Sequence, residues 1–520
     1  MKALSASFGV ALACAATLGC GGQPEVRDQD PAATAGAAEK AANAIADAAA
    51  KAPDRKGLPT PAGERTAWAP PAVTTWKTDN GITVWYLRQQ QAPLVSLRLV
   101  LPTGAASDPI GKAGATSLMV DLLDEGAGEY TALTLGEAFQ RLATDYGAST
   151  ATDGIVFGLD MLADKVQPSL ALLADVLRRP KLTPEEFKRR KDQHLAAMLA
   201  EEADPQYGAS VVGRKILYGT GYGGMPASGV RGTLEKVSLD DVKARYKAAI
   251  QPQGATLIVV GAIERPAVEA AIAATLGDWS GEPVLAPRAL TGEPAKRAVY
   301  WVDYPGSAQS VVAVVRRTEG TAAADYFPAE VLNRALGGAF TSRLNLNLRE
   351  DKGYTYGARS YFSRWAQAGF FGMFAKVKAE TTRASLDEMF KELDAVVGPN
   401  PIADRERDEA VGGFLLGFPG RFENMAGVAE QLATLVLDDR EAEWLQQWPG
   451  KMESVELDAV REAAKSYGGK DAFRVVIAGD YAAHAASLDG LGLEIVRYDR
   501  QGFPEGAARA IGKSKGAAAK

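Results

Sequence analysis

Hydrophobic and polar positions along the middle of the chain follow the two periods expected of strands and helices. Runs rich in β-branched and apolar residues predict strands at 82–87, 94–101, 149–152, 155–162 and 255–260. Segments with helical periodicity between them predict helices at about 164–178, 183–202 and 239–250. Asp153-Gly154, between two of these strands, is a hairpin signal. Neighbouring strands mixed with clustered helices favour an α+β fold.

The pattern of the first half returns in the second half. Three pairs of positions share one offset without a slip: Leu239 with Leu457, Val242 with Val460, and Gly261 with Gly479. Solenoid repeats have much shorter periods, roughly 20–50 residues, so an offset of domain size indicates a duplicated domain. We therefore predict a first domain at 67–283, a linker rich in proline and alanine at 284–296, and a second domain at 297–500.

The two ends of the chain have little apolar surface to bury. Residues 20–66 are rich in alanine and proline, which predicts a flexible tether, and the small, basic residues 501–520 predict a disordered tail. Residues 1–19 place a lysine before an apolar run that is too short to span a bilayer, as in a secretory signal peptide.

Leu18-Gly19-Cys20 at the end of that run resembles a bacterial lipobox. The resemblance implies cleavage before Cys20, lipidation of its thiol, and a protein anchored in the cell envelope. Gly21 after the cysteine favours the outer membrane, facing the periplasm, if the cell has one. A plain secretory signal cut nearby is the alternative.

Composition narrows the possible chemistry. The 520 residues are 47% hydrophobic and 23% charged, as in an ordinary globular protein. A net charge of −6 argues against a nucleic-acid partner, for which a basic stripe is expected. Cys14 and Cys20 are the two cysteines of the sequence, so the mature chain has neither a cysteine nucleophile nor a cysteine-zinc site.

The stretch Lys112 to Ala127 reads as one short helix on which the rest of the first domain is organised. Leu118, Met119, Leu122 and Leu123 recur at the spacing of a buried stripe. Ser117, Val120 and Asp121 stand at i, i+3 and i+4 and share another face.

This stretch resembles the zinc-site helix of the insulinase/pitrilysin-like metallopeptidases, the family of the mitochondrial processing peptidase. Lys112, Gly114 and Gly126 match the residues around the family's inverted zinc motif, His-x-x-Glu-His. Ser117 and Asp121 stand where the histidines belong, and Val120 stands where the general base belongs. The resemblance therefore implies a degenerate motif that holds no metal.

The family's third zinc ligand is a glutamate on a later helix. The matching segment puts Ala196 and Ala197 near that position, and a shifted register with Glu201 or Glu202 stays open. His194 and His484 are the two histidines of the sequence, and we expect both to be ordinary surface residues.

The second half carries a sharper resemblance, in 336–345 and 348–357. Arg349 and Tyr356 match an arginine-tyrosine pair that, in complete enzymes of the family, reaches across a chamber to the peptide at the zinc. Gly337 and Gly338 are candidate substrate-binding residues, with a helix cap and turn as the alternative. The alternative for Arg349 and Tyr356 is a surface arginine and a half-buried strand tyrosine.

These resemblances imply two α+β domains that form half of a clam-like chamber. The leading hypothesis is a subunit that is inactive alone and that supplies Arg349 and Tyr356 to a homologous, zinc-bearing partner chain acting on a peptide. The alternative is a peptide-binding or scaffolding lipoprotein with no hydrolytic role. An autonomous zinc peptidase is disfavoured by the missing histidines.

Overall fold

The computed structural model describes residues 68–505, except positions 285, 288 and 291. The strands of the N-terminal half are β1 (Thr74–Lys77), β2 (Thr83–Arg88), β3 (Leu94–Leu101), β4 (Gly126–Ala127), β5 (Tyr130–Thr131), β6 (Asp145–Thr150), β7 (Ile155–Leu162) and β8 (Thr256–Gly261). Its helices are α1 (Ala115–Val120), α2 (Ala132–Arg141), α3 (Val166–Arg178), α4 (Pro184–Glu201), α5 (Pro205–Tyr218), α6 (Arg231–Leu234), α7 (Leu239–Ala249) and α8 (Arg265–Leu276).

The strands of the C-terminal half are β9 (Val299–Asp303), β10 (Gln309–Glu319), β11 (Thr355–Arg364), β12 (Ala368–Lys378), β13 (Arg474–Gly479) and β14 (Ile495–Tyr498). Its helices are α9 (Tyr326–Asn333), α10 (Arg343–Asn345), α11 (Thr382–Val397), α12 (Asp404–Gly417), α13 (Met425–Leu437), α14 (Trp444–Glu453), α15 (Leu457–Tyr467) and α16 (Tyr481–His484). Two π-helical turns, Arg334–Gly338 and Leu346–Asp351, flank α10.

Each half contains a six-stranded sheet, and five strands of the two sheets share one order. The remaining edge strand differs: β1 comes first in the chain and pairs antiparallel, whereas β14 comes last and pairs in parallel. The N-terminal sheet runs β1-β2-β8-β3-β7-β6, and the C-terminal sheet runs β14-β9-β13-β10-β12-β11. In both, the second and third strands pair in parallel, and the strands from the third to the sixth pair antiparallel. The repeated order confirms the predicted α+β class and its duplication.

The two halves exchange equivalent helices. Helix α5 of the N-terminal half packs on β10, β13 and β9, while α13 of the C-terminal half packs on β3 and β8. Leu432 of α13 thereby shares a core with Trp85 and Ile258 of the N-terminal sheet. Burying one leucine side chain stabilises a fold by about 1.5–3 kcal/mol. The apolar side chains of the exchanged helices therefore hold the two halves together.

The described chain continues past position 500. The backbone amide of Gly232 donates to Gln501 Oε1 at 2.7 Å, and the Asp499 amide donates to the carbonyl of Phe503 at 2.8 Å. Residues 501–505, which the composition assigned to the tail, therefore pack on the N-terminal half.

Several predictions concern parts of the chain outside the described residues. The signal peptide at 1–19, the tether at 20–66 and Cys20 lie there, as do 506–520. Among the helices that the structure describes, none is both long enough and apolar enough to cross a membrane.

Candidate functional site

The helix at the family's zinc position is shorter than predicted. It ends at Val120, and the amides of Leu122 and Leu123 donate three residues back, to Met119 and Val120, at 3.1 and 3.2 Å. The chain therefore tightens into 3₁₀-like turns after Val120. Leu118, Met119, Leu122 and Leu123 are all buried, which confirms the predicted stripe.

A buried ion pair fixes the start of this helix. Asp108 accepts from the amides of Gly114 and Thr116 at 2.8 and 2.9 Å, and Arg245 Nε lies 3.6 Å from its Oδ1. Burial raises the pKa of Asp108, while its bonds to Thr116 and the charge of Arg245 oppose that rise. Gly114 has φ +96°, and a Cβ there would lie 2.2 Å from the Ser228 carbonyl oxygen. Only glycine fits at this turn.

The three positions of the degenerate motif now have contacts of their own. Val120 is 1% exposed and packs in the apolar core, whereas Ser117 and Asp121 are half-buried. His194 Nε2 of α4 lies 2.7 Å from Asp121 Oδ2. The expectation that His194 is an ordinary surface residue is wrong, because α4 turns the imidazole onto the end of α1.

Two arginines of α4 complete this arrangement. Arg190 donates from Nε to the Asp121 carbonyl at 3.1 Å and lies 3.2 Å from Glu125 Oε1. Arg189 also pairs with Glu125, whose side chain is 4% exposed. At the position that corresponds to the family's zinc site, the carboxylates are therefore paired with arginines. Within residues 68–505, no three His, Cys, Asp or Glu side chains stand together so that they could hold a metal ion.

The residues considered for a third ligand do not reach Asp121. Ala196 and Ala197 are exposed and carry no ligand atom, and Glu201 is also exposed. Glu202 is buried and bound by Arg231 through two hydrogen bonds of 3.0 and 3.1 Å. Neither register therefore supplies a glutamate to this site. His484, at the end of α16, is half-buried and lies in the other half of the molecule.

A buried phenol beside the former motif has no partner among the described residues. The Tyr146 hydroxyl, on edge strand β6, makes no hydrogen bond, and its ring stacks on Phe139 at 5.1 Å. Burial raises the pKa of Tyr146 well above its usual value, and the charges of Asp124 and Asp121 add to the rise. Tyr146 therefore stays protonated at neutral pH.

The two candidate glycines of the second half lie in different environments. A Cβ on Gly337 would lie 2.4 Å from the Ser360 amide nitrogen, and one on Gly338 would lie 3.0 Å from the Asn333 carbonyl oxygen. Gly337 is buried and Gly338 is exposed. The first glycine is thus needed for the turn to approach β11, and the second faces solvent at the start of the loop that carries Phe340.

Arg349 and Tyr356 lie on the two sides of a tight turn. The amide of Gly353, with φ +63°, donates to the Arg349 carbonyl at 3.2 Å. The Arg349 guanidinium lies over the ring of Phe340 at 4.5 Å, and Phe340 is itself 64% exposed. Sequence reasoning missed Phe340, although its place next to the glycines was the available signal.

A β-bulge presents Tyr356 to solvent. The register of β11 with β12 shifts between Thr355 and Ala358, so Tyr356 falls outside the ladder and is 92% exposed. The buried Asn345 holds this bulge: Oδ1 accepts from the Ala358 amide at 3.1 Å, and Nδ2 donates to the Phe340 carbonyl at 2.7 Å. A bulge redirects a side chain in this way at sheet edges. No hydrogen bond joins the Arg349 and Tyr356 side chains to each other in the described chain. Arg349 is half-buried, with Nε 3.4 Å from Glu350 Oε1, whereas Tyr356 faces solvent.

Comparisons with known proteins agree with this geometry. The sequence model of the insulinase family, peptidase family M16, matches residues 83–219, and that of the peptidase M16 inactive domain matches residues 236–411. The chain belongs to the M16 peptidase family. The first match contains the degenerate helix, and the second contains the arginine-tyrosine segment.

The relatives of this M16 protein include one named as a protease and one named as a non-peptidase homolog. It is 26% identical over 307 residues to an uncharacterized zinc protease of Streptomyces coelicolor, covering 58% of this chain and 66% of that one. It is 22% identical over 314 residues to the non-peptidase homolog YmxG of Helicobacter pylori, covering 59% and 71%. The matches thus span about two thirds of these relatives' own length.

Solved structures extend the likeness to most of the fold. A crystal structure of a peptidase M16 inactive domain from Pseudomonas fluorescens matches with a TM-score of 0.73 at 25% identity, covering 79% of this chain and 98% of that one. A protease from Helicobacter pylori matches with a TM-score of 0.72 at 17% identity, covering 78% and 99%, and shares the fold. The likeness to an inactive domain and to a non-peptidase homolog is consistent with a non-catalytic role.

Proposed function

We propose that this chain is the non-catalytic subunit of a heterodimeric M16 peptidase, paired with a homologous chain that carries the zinc. The observation that carries the proposal is the exposure of Tyr356. A phenol that is 92% exposed on a bulge has no packing role, and Arg349 is held beside the same turn by Phe340. The exposure of Tyr356 supports a role toward a group outside this chain, and Arg349, which also lies 3.4 Å from Glu350, would act beside it.

The degenerate motif in the described part of the N-terminal half lacks the groups that would activate water. Val120, at the position of the general base, cannot accept a proton, and it is buried among apolar side chains. Asp121 is engaged by His194 and Arg190. The hydrolytic groups, zinc included, would therefore come from the partner chain, and this subunit would be inactive alone.

The arginine-tyrosine pair fits the charge that peptide hydrolysis creates. Attack on a peptide carbonyl places negative charge on its oxygen, and donors aimed at that oxygen stabilise the transition state more than the bound peptide. One such donor contributes on the order of 3 kcal/mol, or about a hundredfold in rate. The Tyr356 hydroxyl and the Arg349 guanidinium would serve as these donors from the opposite wall of the chamber.

The test is hydrolysis of an unstructured peptide by the reconstituted two-chain complex. Tyr356→Phe removes one donor and little volume, so we expect kcat to fall about a hundredfold while KM changes much less. Tyr481→Phe is the matched control, because Tyr481 is a half-buried tyrosine that contacts Trp301 and Arg497. Full activity of both the Tyr356→Phe and the Arg349→Ala complexes would refute the donor role.

The partner is identified by affinity purification of the tagged, full-length protein. A co-purifying homologue with His-x-x-Glu-His intact is the expected result. Stable co-purification with other proteins and no such homologue would support the alternative, a peptide-binding or scaffolding protein with no hydrolytic role.

We further propose that the protein is anchored in the cell envelope through Cys20. The support is the run that ends in Leu18-Gly19-Cys20, followed by the alanine- and proline-rich stretch at 20–66. Cys20→Ser should release a soluble protein or leave the precursor uncleaved. A Cys20→Ser protein of mature length that still fractionates with membranes would contradict the anchor.

A further inference from the structure

One face of the C-terminal sheet is only partly covered. Helix α5 packs on β9, β13 and β10, and β12 and β11 extend beyond it toward the sheet edge. Side chains alternate along β11, so that Ala358 and Ser360 face the main core while Arg359 and Tyr361 face the side of α5. We call the cationic and aromatic surface beside α5 the basic face, formed by Arg214, Arg359, Tyr361 and Lys376.

Arg214 of α5 lies at the inner end of the basic face. Its guanidinium lies over the Trp365 ring at 4.8 Å. Within the described residues it forms neither an ion pair nor a side-chain hydrogen bond. Burial lowers the pKa of Arg214, and the nearby phenols of Tyr361 and Tyr218 partly oppose that shift. An arginine stays charged in any protein environment, so this is a recessed cation without a counter-charge.

The outer part of the basic face has the same character. Arg359 is exposed, pairs with no carboxylate among the described residues, and stands opposite Phe374 in the ladder. Tyr361 is 41% exposed and meets Phe370 edge-on at 5.6 Å. Lys376 Nζ is 3.8 Å from Asp204 Oδ1. Positive charge and aromatic surface therefore alternate over two strands.

Two other arginines without a carboxylate partner, Arg316 and Arg317, have hydrogen bonds that Arg214 lacks. Arg316 donates to the Ser466 carbonyl at the end of α15, and Arg317 Nη2 donates to the Leu217 carbonyl at the end of α5, at 2.8 Å. Each of these side chains therefore caps a helix C-terminus. Among the described residues no backbone carbonyl accepts from Arg214, which leaves its guanidinium available to a ligand.

The equivalent face of the N-terminal half is neutralised. With Gly261 and Gly479 as equivalent positions, the ladders make Arg98 equivalent to Ala313 and Asp160 equivalent to Lys376. Arg98 is paired with Asp160 and with Glu430 of α13, both at 3.2 Å. The unpaired cations are therefore a property of the C-terminal half and not of the repeated fold.

We propose that the basic face binds acidic side chains of an extended peptide, a proposal that rests on the peptide-directed function above and specifies its substrate class. Unpaired guanidinium groups flanked by aromatic rings form charge-assisted hydrogen bonds with carboxylates. A peptide side chain can reach the recessed Arg214, whereas a flat membrane surface cannot. The free edge of β11 also leaves room for an extended segment.

The experiment measures binding of labelled, C-terminally amidated peptides to the full-length chain by fluorescence anisotropy. Three unstructured peptides of equal length carry Glu, Gln or Lys at the same spaced positions. Amidation removes the terminal carboxylate, so that side chains are the carboxylates that differ. We expect the Glu peptide to bind at least tenfold more tightly than the Gln peptide, with affinity that falls as salt rises.

Variants place the binding site. Arg214→Gln and Arg359→Gln should each lower the affinity for the Glu peptide about tenfold and leave the affinity for the Gln peptide unchanged. Arg405→Gln is the matched control, since Arg405 is an exposed arginine on α12. Vesicles containing phosphatidylglycerol provide a second arm and should not compete with the Glu peptide.

Three results would overturn the proposal: equal binding of the Glu and Gln peptides, no binding of any peptide, or displacement of the bound Glu peptide by anionic vesicles. None of these decides the catalytic role of Tyr356, whose readout is hydrolysis by the two-chain complex. Conversely, an unchanged kcat in the Tyr356→Phe complex would leave the peptide-binding result standing.

Discussion

In the N-terminal half, the helix at the zinc position ends among arginines and a histidine, whereas in the C-terminal half the turn between Arg349 and Tyr356 ends in an exposed phenol. Asp121 and Glu125 are bound by His194, Arg189 and Arg190. Tyr356 has no side-chain partner among the described residues and is 92% exposed. The carboxylates of the N-terminal site are therefore paired within the chain, whereas the phenol of the C-terminal site faces solvent.

This difference shows what each region retains. Buried charges are stable only when they are paired, so the N-terminal site keeps its fold by satisfying its own carboxylates. An exposed donor contributes little to stability, so Tyr356 is not explained by packing, whereas Arg349 also contacts Phe340 and Glu350. The predictions below separate structural effects in the first region from functional effects in the second.

The largest expected effect is loss of stability when Arg245 is replaced. Arg245→Met leaves Asp108 buried without its cation, and breaking one partner of a buried pair costs about 3–5 kcal/mol. Denaturant unfolding measures the cost. Arg405→Met, at an exposed arginine on α12, should change stability by less than about 0.5 kcal/mol. If both variants unfold at the same denaturant concentration, the pair does not anchor α1.

A smaller effect is expected at Arg349, in activity and not in stability. Arg349→Lys keeps the charge but loses the planar fork and much of the stacking on Phe340, so kcat of the two-chain complex should fall about tenfold. Unfolding of the variant alone should match that of the wild type. A variant that loses stability but keeps kcat would make Arg349 a packing residue.

The sequence alone was enough for the fold and for the location of both regions. Strand runs, helical periods and the repeated offset predicted an α+β duplication because these signals are local. The buried stripe of Leu118, Met119, Leu122 and Leu123 was correct for the same reason. Local patterns also state which side chains are buried, but not against which element.

What the sequence could not give depends on contacts between distant segments. The pairing of His194 with Asp121 requires the angle between α4 and α1, which no periodicity encodes. The exchange of α5 and α13 between the halves is equally invisible, since either helix has one apolar face whichever sheet it covers. The bulge at Tyr356 depends on Asn345, a buried side chain whose hydrogen bonds reach across the turn.

A modest effect of pH is expected where the halves meet. Burial raises the pKa of Asp438, at the end of α13, to about 7, and the charge of Asp153 adds to the rise against Arg440 and Arg364. An unfolded aspartate has a pKa of about 3.9, so folding favours the protonated form. This contribution to stability is complete below about pH 4 and is lost as the pH rises through about 7.

Asp438→Asn should therefore flatten the decline in the unfolding midpoint between about pH 5 and pH 7.5. Asp439→Asn is the control, because the neighbouring carboxyl is exposed. Parallel pH profiles for the wild type and Asp438→Asn would show that another group governs this range.

The smallest expected effect is in metal content. The wild-type chain should retain no stoichiometric zinc after dialysis, because Ser117 and Val120 are poor or impossible ligands and Asp121 is already paired. Ser117→His, Val120→Glu and Asp121→His together should still bind zinc weakly, since α4 presents the cation of Arg190 to this site. The introduced glutamate would also lie at the buried position of Val120 and lower stability. Elemental analysis of both proteins provides the measurement, and His484→Ala is the control for adventitious binding. About one zinc per wild-type chain, lost in Asp121→Ala but kept in His484→Ala, would show that the N-terminal region still binds metal and is not closed by its ion pairs.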